Sequence, residues 1–218
     1  MTPSLVAAIL FGAAGGILAC VLANILIDRY GVLSPLAAPP VPYPWIPSGP
    51  VSALTGAVLG ALVMQKPAPP VFILLTGGEL LILLLVFLVD FRAHLILDAV
   101  TYPSAITVIV LHAVIPGGRW KAAAVGAIVG CVIFGLLYAL GWLLMKQEAL
   151  GFGDVKLATL VGMMVGFEHV IQSLLFAAVL GGAASIGLLV LRQRASEAFI
   201  PYGIFLSVGA AYELITSR

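Results

Sequence analysis

The chain has 218 residues, of which 62% are apolar and 9% charged, with a mean hydropathy of +1.21 and a net charge of +1. A water-soluble domain carries roughly 25% charged residues, so this composition excludes a soluble globular protein and places the chain in a lipid bilayer. The near-neutral balance supplies no basic face for a nucleic-acid binder. Two cysteines, Cys20 and Cys131, each inside an apolar run, are too few and too isolated for a disulfide framework or a thiolate metal site.

The first apolar run, within "MTPSLVAAILFGAAGGILACVLANILIDRYG", is about twenty residues long and has no basic region before it, which favours a retained span over a secretion signal. Seven further runs come after it, so the expected spans are 4–27, 50–65, 71–89, 99–115, 121–145, 154–167, 170–191 and 199–216. The second and sixth are short for a hydrocarbon layer about 30 Å thick and are expected to tilt or embed only partly. Lipid satisfies no backbone hydrogen bonds, and the alternation of a barrel strand is missing, so the fold expected is an all-α polytopic membrane bundle without a soluble domain. One membrane domain is expected over residues 1–218. Its longest connection, "SPLAAPPVPYPWIPSGP" (34–50), has seven prolines in seventeen residues and reads as a semi-rigid surface tether.

With the amino terminus outside, Arg29, Arg92, Lys146, Lys156, Arg192 and Arg194 fall on the cytoplasmic side, against Lys66, Arg119, Lys121 and Arg218 outside. Lysine and arginine favour the cytoplasmic side, so this orientation is expected. Among the carboxylates, Asp28, Glu148, Glu168, Glu197 and Glu213 lie at or near span ends, where water reaches them. Glu79 falls within a span and needs a partner, either a hydrogen bond across helices or a polar interior.

Asp90 closes "LLILLLVFLVD", and Asp154 comes after "GFG" at the start of a later span. In the expected topology both reach the same membrane boundary. Two carboxylates that converge there share a proton, one remaining an acid while the other acts as a base on water, the chemistry of aspartic proteolysis. Gly151 and Gly153 would let the backbone bend and a substrate strand pass close. Taken alone, "GFGD" reads rather as a helix start with Asp154 as its N-cap. His94, His112 and His169 form no His-x-x-x-His pair, which argues against a metallopeptidase.

In combination, "VDFRAHLILD" (89–98) and "GFGDVK" (151–156) resemble the type IV prepilin peptidases and their archaeal preflagellin relatives. The resemblance implies catalytic aspartates at Asp90 and Asp154, a noncatalytic aspartate at Asp98 and the motif lysine at Lys156. "ACVLANILIDR" is similar to the family's first span through Asn24 and Arg29. "IPYGIFLSVGA" is similar to its last, with Ile204 where a second proline is usual, and Leu97 stands where a proline often precedes the second aspartate. The resemblance implies an aspartic endopeptidase acting without a cofactor or metal at the cytoplasmic face of the inner membrane. Its substrates would be prepilins or pseudopilins, and Lys156 and Arg92 would steady the ionised pair or orient substrate. Bacterial members carry paired Cys-x-x-Cys motifs after the first span, associated with methylating the new amino terminus. The cysteine-free proline-rich stretch here, and Ser52 in place of a glutamate, argue against methyl transfer. The rival readings are a proton-coupled transporter using Glu79, Asp90 and Asp154, and an inactive scaffold of pilus or secretion machinery.

Overall fold

The computed structural model describes residues 3–30, 49–65, 68–145, 150–190 and 201–217. Among these are eight helices: α1 (Pro3–Tyr30), α2 (Gly49–Val63), α3 (Pro70–Ala93), α4 (Asp98–Val114), α5 (Trp120–Met145), α6 (Phe152–Val165), α7 (Phe167–Val190) and α8 (Tyr202–Ser217). They match the eight apolar runs in order, and the described residues form no strand. Almost all of the proline-rich stretch, together with Lys66, Lys146, Glu148, Arg192, Arg194, Glu197 and Arg218, lies outside the described residues.

Four helices are long and apolar enough to cross a bilayer, over Leu5–Arg29, Pro70–Ala93, Trp120–Leu144 and Phe167–Gly187. The others are shorter; the 14 residues of α6 span only about 21 Å at 1.5 Å per residue. That shortness is tolerated because α6 is the centre of the bundle. It packs against α4, α5, α7 and α8, and Leu157, Ala158, Leu160, Val161 and Met164 have no exposed surface. A helix enclosed by protein need not match the hydrocarbon thickness. The outer faces carry large apolar side chains such as Phe11, Leu74 and Leu144, all more than two-thirds exposed, as lipid-facing residues are.

Two pairs of helices approach most closely, backbone against backbone. A Cβ added at Gly56 of α2 would lie 2.1 Å from the Gly12 carbonyl oxygen of α1, and Gly16 and Gly60 extend that seam. In the same way, Gly126 of α5 meets the Gly162 carbonyl of α6, where a Cβ would come within 2.1 Å. Lipid tails are as apolar as leucine, so close backbone packing through small residues takes over much of the driving force for helix association.

The carboxylates sort themselves accordingly. Glu79 is buried in α3 and its Oε1 lies 3.0 Å from Nε2 of His112 on α4, the hydrogen bond across helices that its depth requires. Glu168, in the first turn of α7, pairs with Arg119 where both are exposed. Glu213 departs from the expectation of a solvated span end. It is only 8% exposed and faces His169 at 3.5 Å, because α7 and α8 pack side by side and enclose it.

Candidate active site

The end of α3 and the start of α6 each have a local cause. His94 caps α3 in the left-handed conformation (φ 53°) and donates its backbone N–H to the Asp90 carbonyl, 2.9 Å away. Histidine is among the residues that tolerate this region, so the chain turns there and restarts as α4 at Asp98. This leaves Asp90 in the last turn of α3. At α6 the N-cap is Gly151, with extended backbone, and Asp154 stands three residues later. The alternative reading of Asp154 as the N-cap is therefore corrected. Its carboxylate reaches back to the Gly151 backbone N–H, the reciprocal half of a capping box, and lies at the end of the helix where the macrodipole favours negative charge.

Asp90 and Asp154 are 4% and 8% exposed, and their carboxylates interact electrostatically. What joins them is the amino terminus of α8, which packs on both α3 and α6. The backbone N–H of Ile204 donates to Asp90 Oδ2 at 3.1 Å, and the Gly203 N–H donates to the same carboxylate. Gly203 has no room for a side chain: a Cβ would meet Asp90 Oδ2 at 2.6 Å and Leu157 of α6 at 3.3 Å. Tyr202 lies within electrostatic reach of Asp154 and packs its ring against Phe134 of α5 and Phe205.

The remaining sequence-selected residues surround this pair. Gly153 faces Ile96, whose Cβ would be 3.0 Å from an added methyl, so the glycine seats α6 against the turn that leads into α4. Lys156 Nζ bonds Asp98 Oδ1 at 2.6 Å and lies over the rings of Tyr102 and Phe152, at 5.4 and 5.0 Å from their centroids. Arg92 bonds Asn24 Oδ1 and approaches Cys20 Sγ at 3.8 Å, tying α3 to α1. The basic side chains are thus held by neighbours of their own, Lys156 by Asp98 and Arg92 by Asn24.

Gly203 and Ile204 are contributors that the sequence reading used only to align the last span. Their signal was the glycine in "IPYGIF", although nothing local says that it faces an aspartate 113 residues earlier. The departure at Ile204 has a structural consequence: proline there would carry no N–H, whereas isoleucine supplies a donor to Asp90. Among the described residues, no three His, Cys, Asp or Glu side chains converge as metal ligands do.

The stretch of chain that carries this site is similar to known proteins. The family model of the type IV leader peptidase family matches residues 79–186, a stretch that holds both aspartates. A prepilin leader peptidase/N-methyltransferase of Burkholderia pseudomallei is 30% identical over 168 residues, 76% of this chain and 53% of the relative. One from Aeromonas hydrophila is 28% identical over 172 residues, 76% of this chain and 57% of the relative. One from Escherichia coli K12 is 31% identical over 126 residues, 58% of this chain and 56% of the relative. The chain therefore spans little more than half the length of these relatives, and no solved structure matches it. The family's match covers both buried aspartates, and over residues 79–186 the chain belongs to the type IV leader peptidase family.

Proposed function

We propose that this protein is a membrane aspartic endopeptidase that removes the short leader of type IV prepilin-like proteins, and that residues 1–218 act as one membrane domain. The observation that carries the reading is the pair Asp90 and Asp154, brought from α3 and α6 into one buried, electrostatically coupled site. Two carboxylates in such proximity share one proton more easily than they both ionise. The ionised member takes a proton from a water molecule, whose oxygen attacks the scissile carbonyl. The protonated member gives its proton to the carbonyl oxygen. Collapse of the tetrahedral diol then breaks the C–N bond: the carboxyl protonated in the first step gives its proton to the leaving nitrogen, and the other, now ionised, takes the proton of the diol hydroxyl that becomes the new carboxyl group. Both groups thereby return to their starting protonation states, having exchanged acid and base roles within the cycle, and no metal takes part in these steps.

The supporting residues have distinct tasks in this reading. Gly151 and Gly153 seat Asp154 at the head of α6. The Asp98–Lys156 pair and the Arg92–Asn24 contact brace the turns beside the dyad. In this reading cleavage takes place at the cytoplasmic face of the inner membrane, the orientation that the distribution of lysine and arginine along the sequence favours. Methyl transfer is not assigned to this chain. The relatives' names include it, but residues 34–50 contain no cysteine and Ser52 replaces a glutamate.

The test is co-expression with a tagged prepilin, comparing the native protein with Asp90→Asn and Asp154→Asn. Both variants should insert in the membrane and leave the leader in place. Leader removal by either variant would refute the dyad. The mass of the processed amino terminus reports methylation separately, and the unmethylated mass is expected.

A further inference from the structure

Helix α8 begins at Tyr202, directly before Gly203 and Ile204, the two residues whose backbone N–H groups bond Asp90. The Tyr202 ring turns toward α5 and packs on Phe134 with centroids 5.9 Å apart. The register of α5 against α6 says where Phe134 stands. A Cβ on Gly126 would meet the Gly162 carbonyl at 2.1 Å, and one on Gly130 would meet the Ala158 carbonyl at 2.3 Å. The contact thus moves four residues forward on α5 and four back on α6, one turn of each antiparallel helix. The next turn sets Phe134 level with Asp154, and Phe134 belongs to the same buried cluster as Val155 and Leu157. Tyr202 therefore stands on the Asp154 side of the site, while Gly203 lies against Asp90 Oδ2 and Leu157.

The ring is held and the hydroxyl is not. Phe134 and Phe205 pack on the ring, and α7 closes on its edge at Gly181, where a Cβ would come within 3.2 Å of Tyr202 Cε2. The hydroxyl of this half-buried residue makes no hydrogen bond among the described residues, and it is within electrostatic reach of Asp154. A tyrosine hydroxyl in such a place usually has a partner. Other donors around the dyad are committed: the Gly203 and Ile204 N–H groups to Asp90, the Gly151 N–H to Asp154, and Lys156 to Asp98. The cleavage reaction brings an acceptor of its own. As water adds to the scissile carbonyl, that oxygen gains electron density, and a donor already fixed beside it stabilises the change most in a site that excludes water. A phenol suits the task, because it ionises only near about pH 10 and, being neutral, costs less to hold beside lipid than an ammonium group does.

Building on the peptidase reading, we infer that Tyr202 is a third catalytic residue, its O–H donating to the oxygen of the scissile carbonyl while the proton transfers run through Asp90 and Asp154. The phenol keeps its proton throughout. It donates first to the carbonyl oxygen, then to the same oxygen once a carboxyl proton has made it a diol hydroxyl, and finally to the new carboxyl group. The first turn of α8 thus serves the whole site, holding Asp90 by its backbone and the reacting oxygen by a side chain.

The test uses the full chain in detergent with a tagged prepilin as substrate. Tyr202→Phe removes the hydroxyl and keeps the ring against Phe134 and Phe205. Its kcat should fall roughly tenfold to a hundredfold, the effect of losing one donor to an oxygen that gains charge, with KM and the thermal midpoint near native values. A second probe is a prepilin peptide with a tetrahedral CHOH group in place of the scissile carbonyl. It should bind Tyr202→Phe more weakly by about the same factor as kcat/KM falls, a change that a packing role would not produce. Native kcat in Tyr202→Phe overturns the donor role and leaves the peptidase standing. A fall in kcat accompanied by a lower thermal midpoint, with binding of the tetrahedral peptide unchanged, assigns Tyr202 to packing and overturns the role as well. No leader removal by the native protein overturns the peptidase reading and this inference with it.

Discussion

Gly203→Ala is the most direct probe of how the aspartate site is assembled. The added methyl would sit 2.6 Å from Asp90 Oδ2 and 3.3 Å from Leu157 Cδ2. To reach the ordinary contact distance of 3.4 Å, the carboxylate must withdraw by about 0.8 Å or α8 must lift away from it. Either movement loosens the N–H bonds from Gly203 and Ile204 and shifts Asp90 relative to Asp154. A misplacement near 1 Å costs on the order of a hundredfold in rate, so kcat for leader removal should fall by about that factor. Packing elsewhere is untouched, and the amount of inserted protein and its thermal midpoint in detergent should stay near native values. Gly135→Ala is the control, since nothing lies within 4 Å of its added methyl, and it should cleave at the native rate. If Gly203→Ala cleaves within twofold of the native protein at equal abundance, α8 does not position Asp90 and the account of the site fails.

Gly162→Val should destabilise the whole bundle, because even a single Cβ there would lie 2.1 Å from the Gly126 carbonyl. A thermal scan in detergent should show a clear fall in midpoint, from overpacking of more than about 1 kcal/mol, and an unchanged midpoint would contradict the seam. Replacing Glu79 by Leu leaves His112 buried beside an apolar side chain and should cost roughly 1–3 kcal/mol. The double change Glu79→Leu with His112→Leu should recover part of that loss, and a double-mutant cycle with no coupling would rule out the pair. Asp98→Asn removes a partly exposed ion pair with Lys156 and should change stability by at most about 1 kcal/mol. Raised salt should shrink that difference further, whereas a salt-independent loss of several kcal/mol would mean that the pair is structural.

The membrane environment and the helix order were legible before any coordinates. Lipid leaves so few options for the backbone that apolar run length nearly dictates the helices. Family resemblance was legible as well, because it rests on local strings such as "GFGDVK". Other features were not. The seams through Gly12, Gly56, Gly126 and Gly162 are contacts between distant segments, and a glycine in an apolar run looks the same whether it touches a backbone or lipid. Glu213 read as a solvated end because its burial comes from α7 rather than from its own neighbours.

Sequence by itself determined that this chain lives in lipid, that it is helical, and that two aspartates stand at the ends of its apolar runs. Tertiary structure decided that both aspartates are buried within electrostatic reach of one another, and that a third helix, through Gly203 and Ile204, holds Asp90 in place. The physical reason is range. Hydropathy and capping act over a few neighbouring residues, whereas the Asp90 site depends on groups far apart in the chain being packed together, such as the Ile204 N–H that reaches Asp90 Oδ2 at 3.1 Å.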